Sequence, residues 1–274
     1  MYSVEQLTGQ LGALGLSERT GVVLVHASLR SVGPVAGGSA GLLAALRAAL
    51  GPAGTVLAYT ATPENSETSR LYREATAGLD AAALAAYRAA MPAFDPLRTP
   101  CSPTIGRLSE ELRTTPGALR SAHPQTSFAA LGPLGRTLLA DHPLACHLGE
   151  RSPLGALYRA GGWVLMIGAP LTACTAFHLA EYRAPGVASK RYGCVVRRAD
   201  GERGWERFEG LDVDDRHFPR MLRTVRPRLG EAGTGRLGDA CALLMPMVPA
   251  VDAALEWLEA RVGARLASPA VALS

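Results

Sequence analysis

A chain of 274 residues that is 48% apolar and 19% charged has a globular rather than a disordered composition, with length for one large α/β domain or two small ones. Its net charge of +4, from 28 basic and 24 acidic residues, includes no dense basic run and argues against a nucleic-acid partner. No apolar run approaches the roughly 20 residues that would cross a bilayer, and Met1 to Leu16 lacks a basic n-region and a cleavage site, so the expected location is the cytoplasm with no membrane partner.

In chain order, residues 4–16 carry apolar positions at helical spacing and predict an opening helix. Val22 to His26 is a β-branched run bounded by Gly21 and polar residues, which reads as a buried strand. Ala27 to Gly38 is rich in Ser and Gly and reads as a loop, after which Ser39 can cap a helix from Gly41 to Leu50 that Gly51-Pro52 ends. Thr55 to Thr60 reads as a second strand, and the strand–loop–helix–strand order is a βαβ unit that favours a parallel or mixed sheet. Residues 61–78 are polar and irregular, a helix is expected near 80–90, and Met91 to Pro103 has too many prolines for a regular element. Further on, Ile105 to Arg113 reads as a helix, and Phe128 to Leu131 and Trp163 to Ile167 as strands. Thr175 to Tyr182 reads as a helix start after the Gly168-Ala169-Pro170 turn, residues 190–209 as an antiparallel hairpin around Asp200-Gly201, and Asp252 to Arg265 as a terminal amphipathic helix. No repeat or linker divides the chain, so residues 1–274 are expected to form one domain, with 186–274 its less clearly patterned portion.

The first motif able to carry chemistry is His178 with Glu181. Residues at i and i+3 share a helix face, and a carboxylate there can orient an imidazole, fix its tautomer and raise its basicity. The pair follows a strand and a turn, where open α/β sheets build their sites, although an isolated H-x-x-E is more often a surface ion pair. The second is His26 to Gly38, where small residues let backbone N–H groups approach an anion and the next helix start adds its dipole; the alternative is a plain β-to-α connection. In Arg120 to Ser127, His123 precedes Pro124 and should be extended, lining a pocket or packing.

Two patterns lead elsewhere. Gly37 to Gly41 matches G-x-S-x-G, but the predicted strand ends near His26, so Ser39 is not directly between strand and helix as a nucleophile elbow requires. Cys174 lies four residues before His178 and could meet it on a helix face as a Cys–His nucleophile, or be a small packing residue. The five cysteines, Cys101, Cys146, Cys174, Cys194 and Cys241, are odd in number and contain no C-x-x-C pair, so neither a disulfide framework nor a metal site is expected. The basic residues are Arg apart from Lys190, which suits a small phosphorylated ligand.

Five segments in order, VHASLRSVG (25–33), ALGPAGTVLAYT (49–60), MPAFDPLRTPCSPTIGRLSEELRTTPGALRSAHPQTSFAALGP (91–133), RSPLGALYRAGGWVLMIGAP (151–170) and TAFHLAEY (175–182), together resemble the aminoglycoside N(3)-acetyltransferases, also called the antibiotic N-acetyltransferase family. The resemblance covers most of residues 20–185. It implies an α/β fold with a mixed central sheet flanked by helices, distinct from the GNAT acetyltransferases, whose R/Q-x-x-G-x-G/A loop is absent. It also implies direct acetyl transfer from acetyl-CoA to an amine, the cosubstrate being acetyl-CoA and no metal being needed. In that picture His178 is the base and Glu181 its partner. CoA would meet Ser28, Leu29, Arg30, Ser31, Val32 and Gly33, and also Ser102, Pro103 and Thr104. A polycationic amine would need carboxylates, for which Glu64, Glu67, Glu74 and Asp95 are candidates, with His123 beside them. The sequence departs from the family's N-T-[ST] string at Cys174-Thr175-Ala176, which bears on substrate specificity more than on the reaction. The alternatives are the same transfer to another natural-product amine and, more remotely, a hydrolase or a non-catalytic ligand-binding protein. Monomer and homodimer are both open.

Overall fold

The computed structural model describes residues 1–198, 200–229 and 233–267, with side chains as far as Arg261. Nine strands are present among them: β1 (Val22–Ala27), β2 (Thr55–Tyr59), β3 (Leu119–Arg120), β4 (Phe128–Leu131), β5 (Trp163–Ile167), β6 (Ser189–Arg197), β7 (Arg203–Leu211), β8 (Gly233–Leu237) and β9 (Ala240–Pro246). The α-helices are α1 (Val4–Ala13), α2 (Leu29–Val32), α3 (Gly38–Leu50), α4 (Arg70–Thr76), α5 (Ala81–Ala90), α6 (Arg107–Thr114), α7 (Gly135–Leu139), α8 (Pro153–Arg159), α9 (Phe177–Arg183), α10 (Phe218–Val225) and α11 (Met247–Ala267).

Seven strands form one mixed sheet in the order β3-β4-β2-β1-β5-β9-β8. β1 pairs parallel with β2 on one side and with β5 on the other, and every other pairing in that sheet is antiparallel. The two-residue period of the strands sends alternate side chains to opposite faces. Val22, Leu24, Leu57, Val164, Met166 and Met245 enter one core, under α7 to α11; Val23, Val25, Val56, Leu165, Ile167 and Leu244 enter the other, under α1, α3 and α6. Helices therefore cover both faces, which is why β1 and β5 read as continuous apolar runs.

β6 and β7 form a separate two-stranded ribbon in register from Ser189↔Leu211 to Arg197↔Arg203. It is fastened by Asn65, whose Nδ2 donates to Val195 O at 2.8 Å and whose Oδ1 accepts from Val195 N–H at 2.8 Å, and by Glu67 N–H donating to Gly193 O at 3.1 Å.

Several local expectations are corrected. The expected loop 27–38 contains the short helix α2, capped by Ser28, and the irregular 61–78 segment contains α4. α3 begins at Gly38 with Gly37 as its N-cap, and Ser39 instead donates its hydroxyl to Glu111 Oε2 at 2.8 Å, so it is neither a cap nor an elbow nucleophile. α11 begins at Met247, five residues before Asp252, because Pro249 falls in its first turn, where the missing N–H has no intrahelical partner to lose. Residues 268–274 of the expected single domain lie outside the described residues.

Candidate active site

β1 lies between its two parallel neighbours, so its carboxyl end is where the chain's crossovers leave in opposite directions and open a crevice. His26 to Ser28 exit there. Ser28 N–H donates to Ile167 O at 2.8 Å, and the Ser31 hydroxyl bonds Ser28 Oγ at 2.8 Å, folding the exit against the end of β5. Gly168 makes this close approach possible: its φ is +60°, and a Cβ there would stand 2.4 Å from Ser31 Cβ.

α9 brings its residues to the same end. Phe177, Leu179 and Ala180 anchor it in the core under α10 and α11, turning His178 toward the crevice. His178 Nδ1–H donates to Glu181 Oε2 at 2.5 Å, and the side chains are 14% and 4% exposed. That bond leaves Nε2 as the free lone pair of the neutral ring. The second Glu181 oxygen, Oε1, accepts the Asp214 N–H at 3.0 Å. The carboxylate is therefore held at both oxygens in a site where an unpaired charge would be costly. Thr175 Oγ1 lies 3.3 Å from His26 Nε2, tying the start of α9 to the end of β1; burial and the nearby His178 depress the His26 pKa to about 4.

His178 lines a cavity of about 530 Å³ whose walls include Tyr59, Gln125, His147, Tyr192, Asp214 and Asp215. A cleft of about 560 Å³ is lined by Ala27, Ser28, Leu29, Arg30, Pro103, Gly106 and Arg107. The strip 103–107 walls both, with Ile105 on the cavity and Pro103, Gly106 and Arg107 on the cleft. Two segments far apart in sequence, Ser28–Arg30 and the one containing Pro103, thus meet in one cleft. Arg30 and Arg107 give it two guanidinium groups suited to phosphate oxygens. An imidazole paired with a buried carboxylate and facing a cavity, beside a cleft able to hold a phosphorylated carrier, is an arrangement suited to group transfer to a protic nucleophile.

Other expected residues fall elsewhere. Ser102 and Thr104 do not line the cleft: Ser102 Oγ donates to Glu64 Oε1 at 2.5 Å and lies 2.9 Å from Thr104 Oγ1, and Ser102 and Glu64 line an adjoining pocket of about 330 Å³. Val32 is fully buried in the core, and the half-buried Gly33 packs against Asp239 and Tyr2, so neither lines the cleft. Glu67 is paired with Arg88 at 3.0 Å, and Asp95 accepts the Leu97 N–H at 2.8 Å, so both carboxylates serve local structure away from His178. Glu74 pairs with Arg70 on the exposed side of α4. His123 is fully buried, its Nδ1 accepting the Gln125 and Thr126 N–H groups, so it packs rather than lining a pocket. Cys174 and Ala176, at the departure from the family string, are fully buried, and burial pushes the Cys174 thiol up to about 12, which leaves no thiolate for a Cys–His nucleophile.

Sequence reasoning missed Asp214, Asp215, Lys190 and Tyr192 on the cavity and Arg107 on the cleft. The first two precede a strongly amphipathic segment (Phe218, Met221, Leu222, Val225) that was readable as a helix and would have marked them as a helix approach. Nothing local marks Lys190 or Tyr192. Among the described residues no group of three or more His, Cys, Asp or Glu side chains could hold a metal ion, and no helix is long and apolar enough to cross a membrane.

The family model described as aminoglycoside 3-N-acetyltransferase matches residues 24–259. Aminoglycoside N(3)-acetyltransferase III of Serratia marcescens is 36% identical over 96% of this chain and 100% of its own length. Among solved structures, AAC-VIa bound to sisomicin superposes with a TM-score of 0.84 at 35% identity, covering 95% of this chain and 98% of the other. AAC-IIIb in binary complex with CoASH superposes with a TM-score of 0.83 at 36% identity, covering 95% and 97%. The chain belongs to the aminoglycoside 3-N-acetyltransferase family. It is accordingly an acyltransferase with acetyl-CoA as its cosubstrate.

Proposed function

We propose that this chain, working as one domain, acetylates the 3-amino group of an aminoglycoside by direct attack, with His178 as general base and Glu181 as its orienting partner. The observation that carries this is the buried His178–Glu181 pair on a cavity that shares the 103–107 wall with a two-arginine cleft. Acetyl-CoA supplies the acetyl group as a thioester, so that a C–N bond forms at the acetyl carbon as the C–S bond breaks and the thiolate leaves. His178 Nε2 takes the proton that the attacking nitrogen sheds, and Glu181 stabilises the imidazolium so formed. Such base catalysis contributes about 10²–10⁴-fold, and fixing the amine against the acetyl carbon adds a comparable or larger factor. The cleft residues Ser28, Leu29, Arg30 and Arg107 hold the carrier through its phosphates. Asp214 and Asp215 face the cavity from the ribbon side and give a polycation carboxylates to meet, Asp215 being in no ion pair among the described residues.

The test is CoA release from acetyl-CoA with kanamycin, with gentamicin and with an analogue lacking the 3-amino group. Turnover is expected with the first two and not with the third. Turnover with the third at the same rate would overturn the assignment of the acceptor, and full activity in His178→Ala would overturn the mechanism. Acetyl-CoA binding by calorimetry should survive in His178→Ala, because the ring is not on the cleft.

A further inference from the structure

Glu181 faces a second imidazole. His217 Nε2 lies 3.6 Å from Glu181 Oε1, on the carboxylate oxygen that does not bond His178. This nitrogen is buried and has no hydrogen-bond partner among the described residues. A buried polar group left unpaired is destabilising, and Glu181 is the charged acceptor in front of it. The His217 ring is held in this orientation from two sides. It stacks on Trp257 of α11 at 5.9 Å between centroids and 15° between planes, and meets Phe218 edge-on at 5.1 Å. Its backbone is set by the turn Asp215–His217, whose N-cap Asp214 accepts the Arg216 N–H at 3.0 Å. Asp214 also gives its own N–H to Glu181, so the same turn delivers a backbone donor and an imidazole to one oxygen.

We propose that His217 is a positioning residue for the transfer reaction: it holds the Glu181 carboxylate from the side opposite His178 and thereby limits how tightly that carboxylate keeps a proton on the His178 ring. The inference rests on the assignment of His178 as the base. The charged groups facing His217 are Glu181 and His178 from α9, Asp214 from its own turn and Arg261 from α11. Burial lowers its pKa most, Glu181 and Asp214 raise it, and His178 and Arg261 lower it, so the ring is neutral under neutral conditions. Neutral, with the proton on Nε2, it points a donor at Oε1. In acid, when it gains a second proton, two imidazolium rings compete for one carboxylate. Both effects weaken the hold of Glu181 on a proton at His178, and removing His217 should reverse both.

The experiment uses His217→Phe, which keeps a flat ring against Trp257 and removes the nitrogen, and His217→Gln, which can still donate to Oε1. For His217→Phe the expected result is a severalfold fall in kcat with KM for acetyl-CoA little changed. The acid limb of kcat/KM against pH should move up by about half a unit, a roughly threefold extra loss on that limb. His217→Gln should recover most of kcat. Histidine nitrogen NMR on the unmodified protein and on Glu181→Gln supplies a readout that needs no His217 variant to fold: the His217 midpoint should fall when the Glu181 charge is removed. An unchanged acid limb in His217→Phe, or a His217 midpoint indifferent to Glu181→Gln, would overturn the proposal. Failure of the base assignment shows separately, as activity in His178→Ala, and leaves the NMR shift standing.

Discussion

The six histidines of this chain divide into two triads that solve opposite problems. His26, His178 and His217 gather around α9, where one buried carboxylate, Glu181, is shared between two rings. His142 and His147 each pack at a tilt against His123, with ring centroids 4.6 Å and 4.7 Å away, beside Phe208. Their partners are neutral. His123 Nε2 meets Leu144 O at 3.2 Å, His142 lies between Ser121 Oγ at 2.9 Å and His147 O at 2.8 Å, and His147 Nε2 meets Gln125 Oε1 at 2.7 Å. With no carboxylate among the described residues hydrogen-bonded to any of these rings, burial governs: the pKa of His142 is depressed to about 4 although Asp141 pulls it up, that of His147 to about 3, and that of His123 falls well below the ordinary value. The rings differ in what faces their nitrogens, the Glu181 carboxylate for His178 and His217 and neutral oxygens for the others, and His123 and His147 are also the more deeply buried.

Removing the base should have the largest effect. His178→Ala is expected to lower kcat by about a thousandfold, close to 4 kcal/mol of barrier, and Glu181→Gln by a smaller factor of about ten to a hundred, because it removes orientation and charge but not the base. Activity in either variant near that of the unmodified enzyme would erase the distinction between the triads. In the other triad, His123→Ala leaves the Gln125 and Thr126 N–H groups behind the cavity wall without their acceptor and should cost about 2–3 kcal/mol in denaturant melts, with kcat per folded molecule largely retained. A large kcat loss there would give His123 a chemical role.

The pH dependence of stability cuts across that division, because His26 is held neutral like the rings of the second triad. His26, His123, His142 and His147 all have folded pKa values below the unfolded value near 6.5, so each binds a proton more readily in the unfolded chain. Their contribution to stability is present above about pH 6.5 and is lost as pH falls toward 4, with a slope of up to about 1.4 kcal/mol per pH unit for each ring. Denaturant melts between pH 7 and 4 would measure it, and a flat profile would show that the rings are not held neutral. The smallest effect belongs to Cys174→Ser, which should leave kcat within about twofold because a buried, protonated thiol takes no part in the chemistry; a hundredfold loss would revive the Cys–His pair.

Legibility followed locality. The strand Val22 to His26, the strand Trp163 to Ile167, the Asp200-Gly201 hairpin and the i, i+3 relation of His178 to Glu181 each depend on a few adjacent residues, and each stands in the structure. The edge strands β3 and β8 were not legible, because two residues give no alternation and Gly233-Thr234-Gly235 carries too few side chains to show one. β9 was missed although it is apolar, and its antiparallel pairing with β5 helps make the sheet mixed.

By itself the sequence determined that the chain is a globular α/β protein, that His178 and Glu181 share a helix face, and, through five ordered segments, which family it resembles. Only the tertiary structure decided which charged residues reach the cavity and the cleft. Glu67, Asp95 and His123 had the right chemistry for a substrate, yet Arg88, the Leu97 N–H and the backbone N–H groups of Gln125 and Thr126 engage them. Asp214, Asp215 and Arg107 had no motif to mark them, yet the fold sets them on the cavity and the cleft. The reason is physical: a side chain's charge is written in its residue type, but its partners are chosen by contacts between elements far apart in the chain, as Glu181 Oε1 and His217 Nε2 show across 36 positions at 3.6 Å.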